Sequence, residues 1–310
     1  MSFTLVINSS NLSNPNTNGT YTYNFIGGGF KVEEDMECML SSAQIPYSIF
    51  NITSAYNNNA IGFGFPTGAL VTTYLNNTIT IPDGFYTIPD LNSYMQQYAI
   101  TNGFYLINAS GQNVYYTPAF YVNQTSYAIQ LLLYTVPISL PAGWTQPTNW
   151  AGYSTLIGTP ITPYIIILNN NFKDFIGFLQ GYYPSGVSLP VSTNYSVLSN
   201  KKPPIASYVN SIIVHCSLVN NPVVSPSDIL DAFQITNATF GQNINYQPPV
   251  EKYVKLTKGS YSSMVLYLTD QNNNPINFID PNILITLLFR KNTLYSMMST
   301  KVCILNRFHT

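Results

Sequence analysis

Short runs of alternating apolar and polar positions dominate the first third of the chain, and this period of two predicts strands. Residues 3–7 (FTLVI) form one run. After an Asn- and Ser-rich loop at 8–19, Tyr21, Tyr23 and Phe25 alternate with Thr22 and Asn24 until glycines 27–29 break the pattern. Another strand is expected over about residues 35–45. It puts Met36, Cys38 and Leu40 on one side and Glu37, Met39 and Ser41 on the other, and Pro46 stops it. Residues 61–75, with alternating Phe63 and Phe65, read as one further strand. Helical spacing stands out once: Leu91, Tyr94/Met95 and Tyr98 predict a helix over about residues 90–100, with Asp90 as its cap and Asp83-Gly84 as a turn before it.

Beyond that helix come short Tyr-rich strands punctuated by Pro137, Pro141, Pro147, Pro160, Pro163 and Pro184, up to an abrupt Lys201-Lys202-Pro203-Pro204. Residues 211–219 then form a nearly continuous apolar strand, expected to be covered on both faces. Ser225-Pro226 predicts a short helical turn. Residues 253–256, 263–269 and 283–289 complete the strand set, with a tight polar turn at 270–275. Eight or so short antiparallel strands imply an all-β fold, a single jelly-roll β-sandwich. The middle is too long for a loop. It is expected to be a smaller β-rich domain inserted into the sandwich, giving segments 1–79 and 206–310 to the jelly roll and 80–205 to the insertion.

Charge narrows the function. Charged residues are 7% of the 310, against roughly 25% in ordinary soluble domains. Between Lys31 and Lys173 there is no Lys, Arg or His, and after Glu37 that gap holds only the carboxylates of Asp83 and Asp90. Phosphate, nucleic-acid and acid–base chemistry all need cations or paired titratable groups. With a net charge of −1, a free monomer has little self-repulsion, and burial of its surface against neighbours would resolve that. No signal-peptide pattern and no membrane-spanning run appears, and three scattered cysteines, Cys38, Cys216 and Cys303, fit neither a disulfide framework nor a zinc site. The reading is a soluble, reduced chain, intracellular at synthesis.

Several motifs carry a resemblance. Residues 30–52 (FKVEEDMECMLSSAQIPYSIFNI) and 78–97 (TITIPDGFYTIPDLNSYMQQ) resemble segments of the penton (minor capsid) proteins of virophages, the Sputnik type in particular, and of the related Polinton elements. The second contains Ile81-Pro82-Asp83-Gly84, Tyr86, Ile88 and Asp90-Leu91-Asn92. FKDFIGF at 172–178 and the block at 262–289 are similar to further family elements. The resemblance implies a jelly roll that forms homopentamers at the fivefold vertices of an icosahedral virion, among double-jelly-roll major capsid proteins. It implies no enzymatic residues. With it, strands B, C and D are assigned to the segments at Tyr21, Asp35 and Ile61, E to Ser211, F to residues 233–246, and G, H and I to Tyr253, Ser263 and Ile283. The insertion then lies between D and E.

Candidate sites each have a plain structural explanation. His215-Cys216 resembles a base and its nucleophile, but neighbours in a strand point to opposite faces. Asp83 and Asp90 as a glycosidase pair compete with a turn and a helix cap. Asp228 and Asp231, three apart on one short helix, would suit a cap as readily as calcium, and the 269–280 loop an Asx turn as readily as a metal. No catalytic residue, metal or cofactor is therefore assigned. The residues expected to matter are charges for a subunit interface: an acidic segment, Glu33, Glu34, Asp35 and Glu37, facing Lys252, Lys255 and Lys258 of the next subunit. The partners expected are the chain itself and the surrounding capsid. No nucleic-acid patch is expected, and the Tyr-rich insertion suits glycan or host and helper-virus surfaces. The alternative is a lectin-like sandwich that binds carbohydrate and needs no ring.

Overall fold

The computed structural model describes residues 2–292 apart from 14–18, 28, 68–73, 153–159, 186–190, 201–208 and 237. The Lys201–Pro204 boundary and Cys303 lie outside the described residues. The chain forms two compact units, Met1–Ile49 with Val209–Thr310, and Phe50–Tyr208. In chain order the first unit begins with β1 (Ser2–Asn8), β2 (Thr20–Asn24), β3 (Phe30–Val32) and β4 (Met36–Pro46). The second holds β5 (Ala60–Pro66), β6 (Tyr74–Thr80), α1 (Ile88–Asn102), β7 (Tyr105–Ile107), β8 (Asn113–Tyr115), β9 (Ala119–Asn123), β10 (Ala128–Leu133), β11 (Tyr164–Ile167), α2 (Lys173–Ile176), β12 (Gly181–Tyr183) and β13 (Tyr195–Leu198). The first resumes with β14 (Ser211–Cys216), β15 (Ile229–Gln234), β16 (Asn243–Tyr246), β17 (Val254–Lys255), β18 (Gly259–Tyr261), β19 (Ser263–Thr269) and β20 (Leu284–Lys291).

In the first unit one sheet runs β1-β20-β4-β16 and the other β15-β14-β19-β2, with every neighbouring pair antiparallel. Lettered B to I along the chain, β1, β2, β4, β14, β15, β16, β19 and β20 give sheets B-I-D-G and C-H-E-F. That is the strand order of a jelly roll. Alternation sets the buried face: Leu5 and Ile7 on β1, Cys38 and Leu40 on β4 and Leu287 and Phe289 on β20 are buried. On β14 the same holds for Ile212, Val214 and Cys216. The register of β14 against β15 shifts between Val214 and His215, so Leu230 is the extra residue of a bulge. Gly29 has φ +103, and a Cβ there would lie 2.8 Å from the Tyr261 carbonyl, so this bend before β3 requires glycine.

Four sequence expectations are corrected. Residues 61–75 are not strand D of the sandwich but β5 and the start of β6, a hairpin of the second unit. Phe63 and Phe65 bury themselves against Phe104, at 5.4 and 4.6 Å between ring centres. Period-two alternation identifies a strand but not the sheet it joins, so the unit boundary falls at Phe50, about thirty residues before residue 80. Strand B is β1, C is β2 and D is β4, each one segment earlier than assigned. The segment 233–246 spans two strands in different sheets, the end of β15 and all of β16, and β16 is strand G. The two-residue β17 pairs the other end of β4. Ser225-Pro226 opens no helix: Asn221 N–H donates to Ser227 O and Cys216 N–H to Asp228 O, which ties the segment to β14.

The second unit has its own aromatic core of Phe63, Phe65, Phe104, Phe120, Phe172, Phe175 and Phe178. Helix α1 buries Leu91, Met95 and Ala99 along one stripe. It begins two residues before the expected cap, because Thr87 is the N-cap. Asp90 sits at the third helical position and closes a capping box by accepting from Thr87 N–H and Oγ1 at 3.0 and 2.6 Å. Gly103, at φ +70, ends the helix.

Candidate functional site

The acidic segment and the lysines meet within one chain, at the end of the jelly-roll unit where β3 pairs β18 and the start of β4 pairs β17 and the end of β20. Antiparallel register puts Arg290 opposite Glu37 on one side of β4 and Lys255 opposite it on the other. Arg290 Nε lies 3.2 Å from Glu37 Oε2 and its Nη1 3.9 Å from Glu251. Its guanidinium carbon rests 3.3 Å from the centre of the Tyr253 ring, a cation–π contact. Asn292 adds a 2.8 Å hydrogen bond to Glu37 Oε1 and donates its backbone N–H to Asp35 O. Lys291 pairs with Glu33. That hydrogen bond and charge hold the Glu33 carboxyl below its ordinary range and the Lys291 amine above its own.

Two of the predicted residues stand apart from this brace. Glu34 and Lys258 form a 3.6 Å pair whose side chains are 76% and 71% exposed, beside the β3–β18 strand pair. A shallow cleft of about 360 Å³ runs beside them, lined by Lys31, Glu33, Glu34 and Lys258 among others. Lys252 lies 3.8 Å from Asp231, a nearly buried carboxylate that also accepts from Tyr246 Oη at 3.1 Å. Sequence reasoning missed Arg290, Lys291 and Asn292. Arg290 and Lys291 close the last strand and Asn292 follows it, more than 250 residues from the acidic segment, and only the pairing of β20 with β4 joins the two.

A second cluster lies on the outer face of the other sheet. His215 on β14 is 1% exposed and is registered opposite Tyr267 on β19, with the two rings stacked 4.2 Å apart. Its Nδ1 is 3.0 Å from Asp228 Oδ1 and its Nε2 is 2.9 Å from Thr269 Oγ1. Tyr267 Oη donates to Asp228 Oδ2 at 2.5 Å. Burial pushes the Asp228 carboxyl up, but hydrogen bonds from Tyr267 and His215 and the imidazole's charge outweigh it, so the group titrates below its ordinary value. Burial and the bond to that carboxylate push the Tyr267 phenol up to about 12.

Asp, His and Thr in this order match the parts of a nucleophilic relay. Thr269 is 2% exposed, which leaves no room for a scissile carbonyl. The cluster therefore works as a buried hydrogen-bond network in which each polar atom has a partner. Cys216 points to the other face of β14, and burial pushes its thiol up to about 11.

The remaining candidates resolve locally. Asp83 accepts from Ser54 N–H and Oγ, and Asp90 serves the capping box. Asp228 and Asp231 share no helix: the first faces His215 from a loop and the second sits in β15. Asp270 accepts from the backbone N–H groups of Asn272 and Asn274, an Asx-type turn. Among the described residues no helix is long and apolar enough to cross a membrane.

Strand order thus defines a single jelly roll with a second β-rich unit spliced into the chain between its strands D and E. The chain aligns over 94% of its length with the crystal structure of the selenomethionine-labelled mavirus penton protein, covering 99% of that chain at 12% identity and a TM-score of 0.41. It also aligns with a chain of the Sputnik virophage solved by cryo-EM, over 95% of this chain and 99% of that one, at 14% identity and a TM-score of 0.36. No family model and no curated protein sequence matches the chain. The fold assignment rests on the strand order and register described above.

Proposed function

We propose that this chain is a structural subunit that associates with copies of itself into a closed pentameric capsomer at the vertex of an icosahedral shell, beside double-jelly-roll capsid proteins. The observation that carries the reading is the B-I-D-G and C-H-E-F order in a chain whose charges are only 7% of its residues. A jelly roll with so little charge on its surface gains from burying its sides against identical neighbours. A ring of five is a head-to-tail contact, so each subunit presents two different complementary surfaces.

The β3–β18 end supports one of those surfaces. Arg290, Lys291 and Asn292 brace Glu33 and Glu37 internally. Glu34 and Lys258, both well exposed beside a cleft, form one mixed-charge patch that would meet a different surface of the neighbouring subunit and so help fix the ring's register. Lys252 and Lys255 flank that end on and before β17. In this reading the chain acts in the virion and carries out no catalysis.

Light scattering after size exclusion tests the reading. A particle of about five times 34.5 kDa is expected. A stable monomer up to the highest soluble concentration overturns self-assembly as proposed.

A further inference from the structure

The inserted unit carries a groove that the capsomer reading does not use. It lies among α1, β8, the 117–119 segment and β9, and holds about 230 Å³. Its walls are fixed from behind. The Asn92 side chain on α1 donates to the Phe120 carbonyl at 2.7 Å and accepts from the Phe120 N–H at 2.8 Å, and Thr117 Oγ1 donates to the Met95 carbonyl at 3.1 Å. These bonds lock the helix to the strand, and Asn92 and Thr117 commit their side chains to them although both line the groove. The other polar side chains of the lining are three tyrosines and two amides: Tyr115, Tyr121, Tyr134, Gln96 and Asn113. Tyr121 and Tyr134, 47% and 36% exposed, share a side-chain hydrogen bond, and Asn113 Nδ2 donates to Tyr115 Oη at 3.3 Å.

None of the lining residues carries a charge. A phosphorylated, sulfated or carboxylated ligand needs cationic donors that this groove lacks. A hydrocarbon chain would strip water from amides and phenols without replacing their hydrogen bonds. A pyranose fits both halves of the lining: its C–H face packs on phenol rings, while its hydroxyls both donate to and accept from amide and phenol groups. Drug-sized ligands fill roughly 300–1,000 Å³, so about 230 Å³ suits one or two sugar rings better than an extended peptide.

We propose that this groove between α1 and the β8 and β9 strands of the inserted unit is a binding site for a neutral carbohydrate. Phenol rings supply the platform, and Gln96 and Asn113 supply the directional hydrogen bonds. The inference is independent of the capsomer: a monomer that binds glycan leaves it intact, and a pentamer that binds none overturns it.

The test is a glycan array probed with the full chain, followed by calorimetry with the best neutral oligosaccharide. Retention of uncharged glycans that persists in high salt is expected. Gln96→Ala and Tyr121→Ala should each weaken binding about tenfold or more, the cost of one buried hydrogen bond or one ring contact. Both side chains are exposed, and Tyr121→Phe, which keeps the ring, should retain most of the affinity if stacking dominates there. Thermal melts of each variant separate lost binding from lost folding. The proposal falls if no neutral glycan is retained, or if every hit is sialylated or sulfated and releases in salt. It falls equally if a peptide panel, and not sugar, perturbs the groove's amide resonances, or if binding survives both alanine substitutions.

Discussion

The jelly-roll unit and the inserted unit are both assemblies of short antiparallel strands, yet different chemistry holds each one together. Of the chain's charges only Asp83, Asp90, Lys173, Asp174, Lys201 and Lys202 fall between Phe50 and Tyr208. The jelly roll pins its register with charge: Arg290 on Glu37 across β20 and β4, Lys291 on Glu33, and Asp228 on the His215 imidazole. The inserted unit uses amides for the same task. Asn51 holds the backbone of Tyr86 from both sides, Asn58 donates to Asn51 O, and Asn169 and Asn171 donate to the carbonyls of Asn57 and Tyr56. Its core sets seven buried phenylalanines among aliphatic side chains, whereas the jelly roll buries only Phe233, Phe278 and Phe289 among the described residues. A charged device responds to salt and pH; an amide device does not. The jelly roll is therefore the more tunable by its surroundings, and the inserted unit is exposed to them mainly at the carboxylates of Asp83 and Asp90.

The largest effect that separates the two comes from Phe65→Ala. Phe65 is fully buried against Phe104, 4.6 Å away, and Trp150, 5.7 Å away. Removing the ring costs the inserted unit about 3–5 kcal/mol, a large fraction of a typical domain's stability. Hydrogen exchange should show protection collapsing across residues 50–208 while β1, β4, β14 and β20 keep theirs. Loss of protection in both units together would show that they fold as one and would abolish the distinction.

Asp228→Asn makes the reciprocal change in the jelly roll. It weakens charge-assisted bonds from His215 and Tyr267 and costs about 1–3 kcal/mol at neutral pH. The pH dependence has a definite sign. The folded carboxyl titrates below its ordinary value of 3.8, so its contribution is fully present above that value. It is lost as pH falls through the lower folded value, because the unfolded chain then takes up the proton first. Denaturant melts from neutral to acid pH should show a steeper loss of stability for the native jelly roll than for Asp228→Asn. Parallel curves would mean that the carboxylate is not tuned by this cluster.

How much of this the sequence reveals follows from what periodicity encodes. Alternation located β2 and β4, short apolar runs located β1, β14, β19 and β20, and helical spacing located α1, because each pattern reports which side chains an element buries. Chain order placed the insertion between strands D and E. Alternation is silent on which sheet a strand joins, so β5, with Phe63 and Phe65, was read into the wrong unit. Between β15 and β16 the eight-residue connection carries Ile235 and Phe240, so apolar positions continue across it and two strands merge into one. Side-chain clusters were the least legible. Asp228 and Thr269 lie 13 and 54 residues from His215, and they meet it only because β14 pairs with β15 on one side and β19 on the other. Arg290 escaped for the same reason, although a basic pair closing the last strand, opposite an acidic pair-rich segment near the first ones, was a readable hint.

The smallest effect on stability carries the most information about assembly. Lys258→Glu breaks the exposed pair with Glu34 and places two carboxylates side by side beside the β3–β18 strand pair. Exposed pairs contribute little to folding, so the melting temperature of the jelly roll should hardly move. If the same patch fixes register against the opposing surface of the next subunit, the substitution reverses one of its charges, and the mismatch is repeated at every interface of a closed ring. The particle mass should then fall from pentamer towards monomer at a concentration where the native chain stays assembled, and salt should partly restore it. The double exchange Glu34→Lys with Lys258→Glu re-forms the pair within the subunit but shows reversed polarity to the neighbour, so it should fold like the native chain and assemble no better than the single variant. A single variant that assembles as the native chain does would confine Glu34 and Lys258 to bracing β3 against β18, and the register of a ring would have to be sought on the uncharged faces of the sandwich.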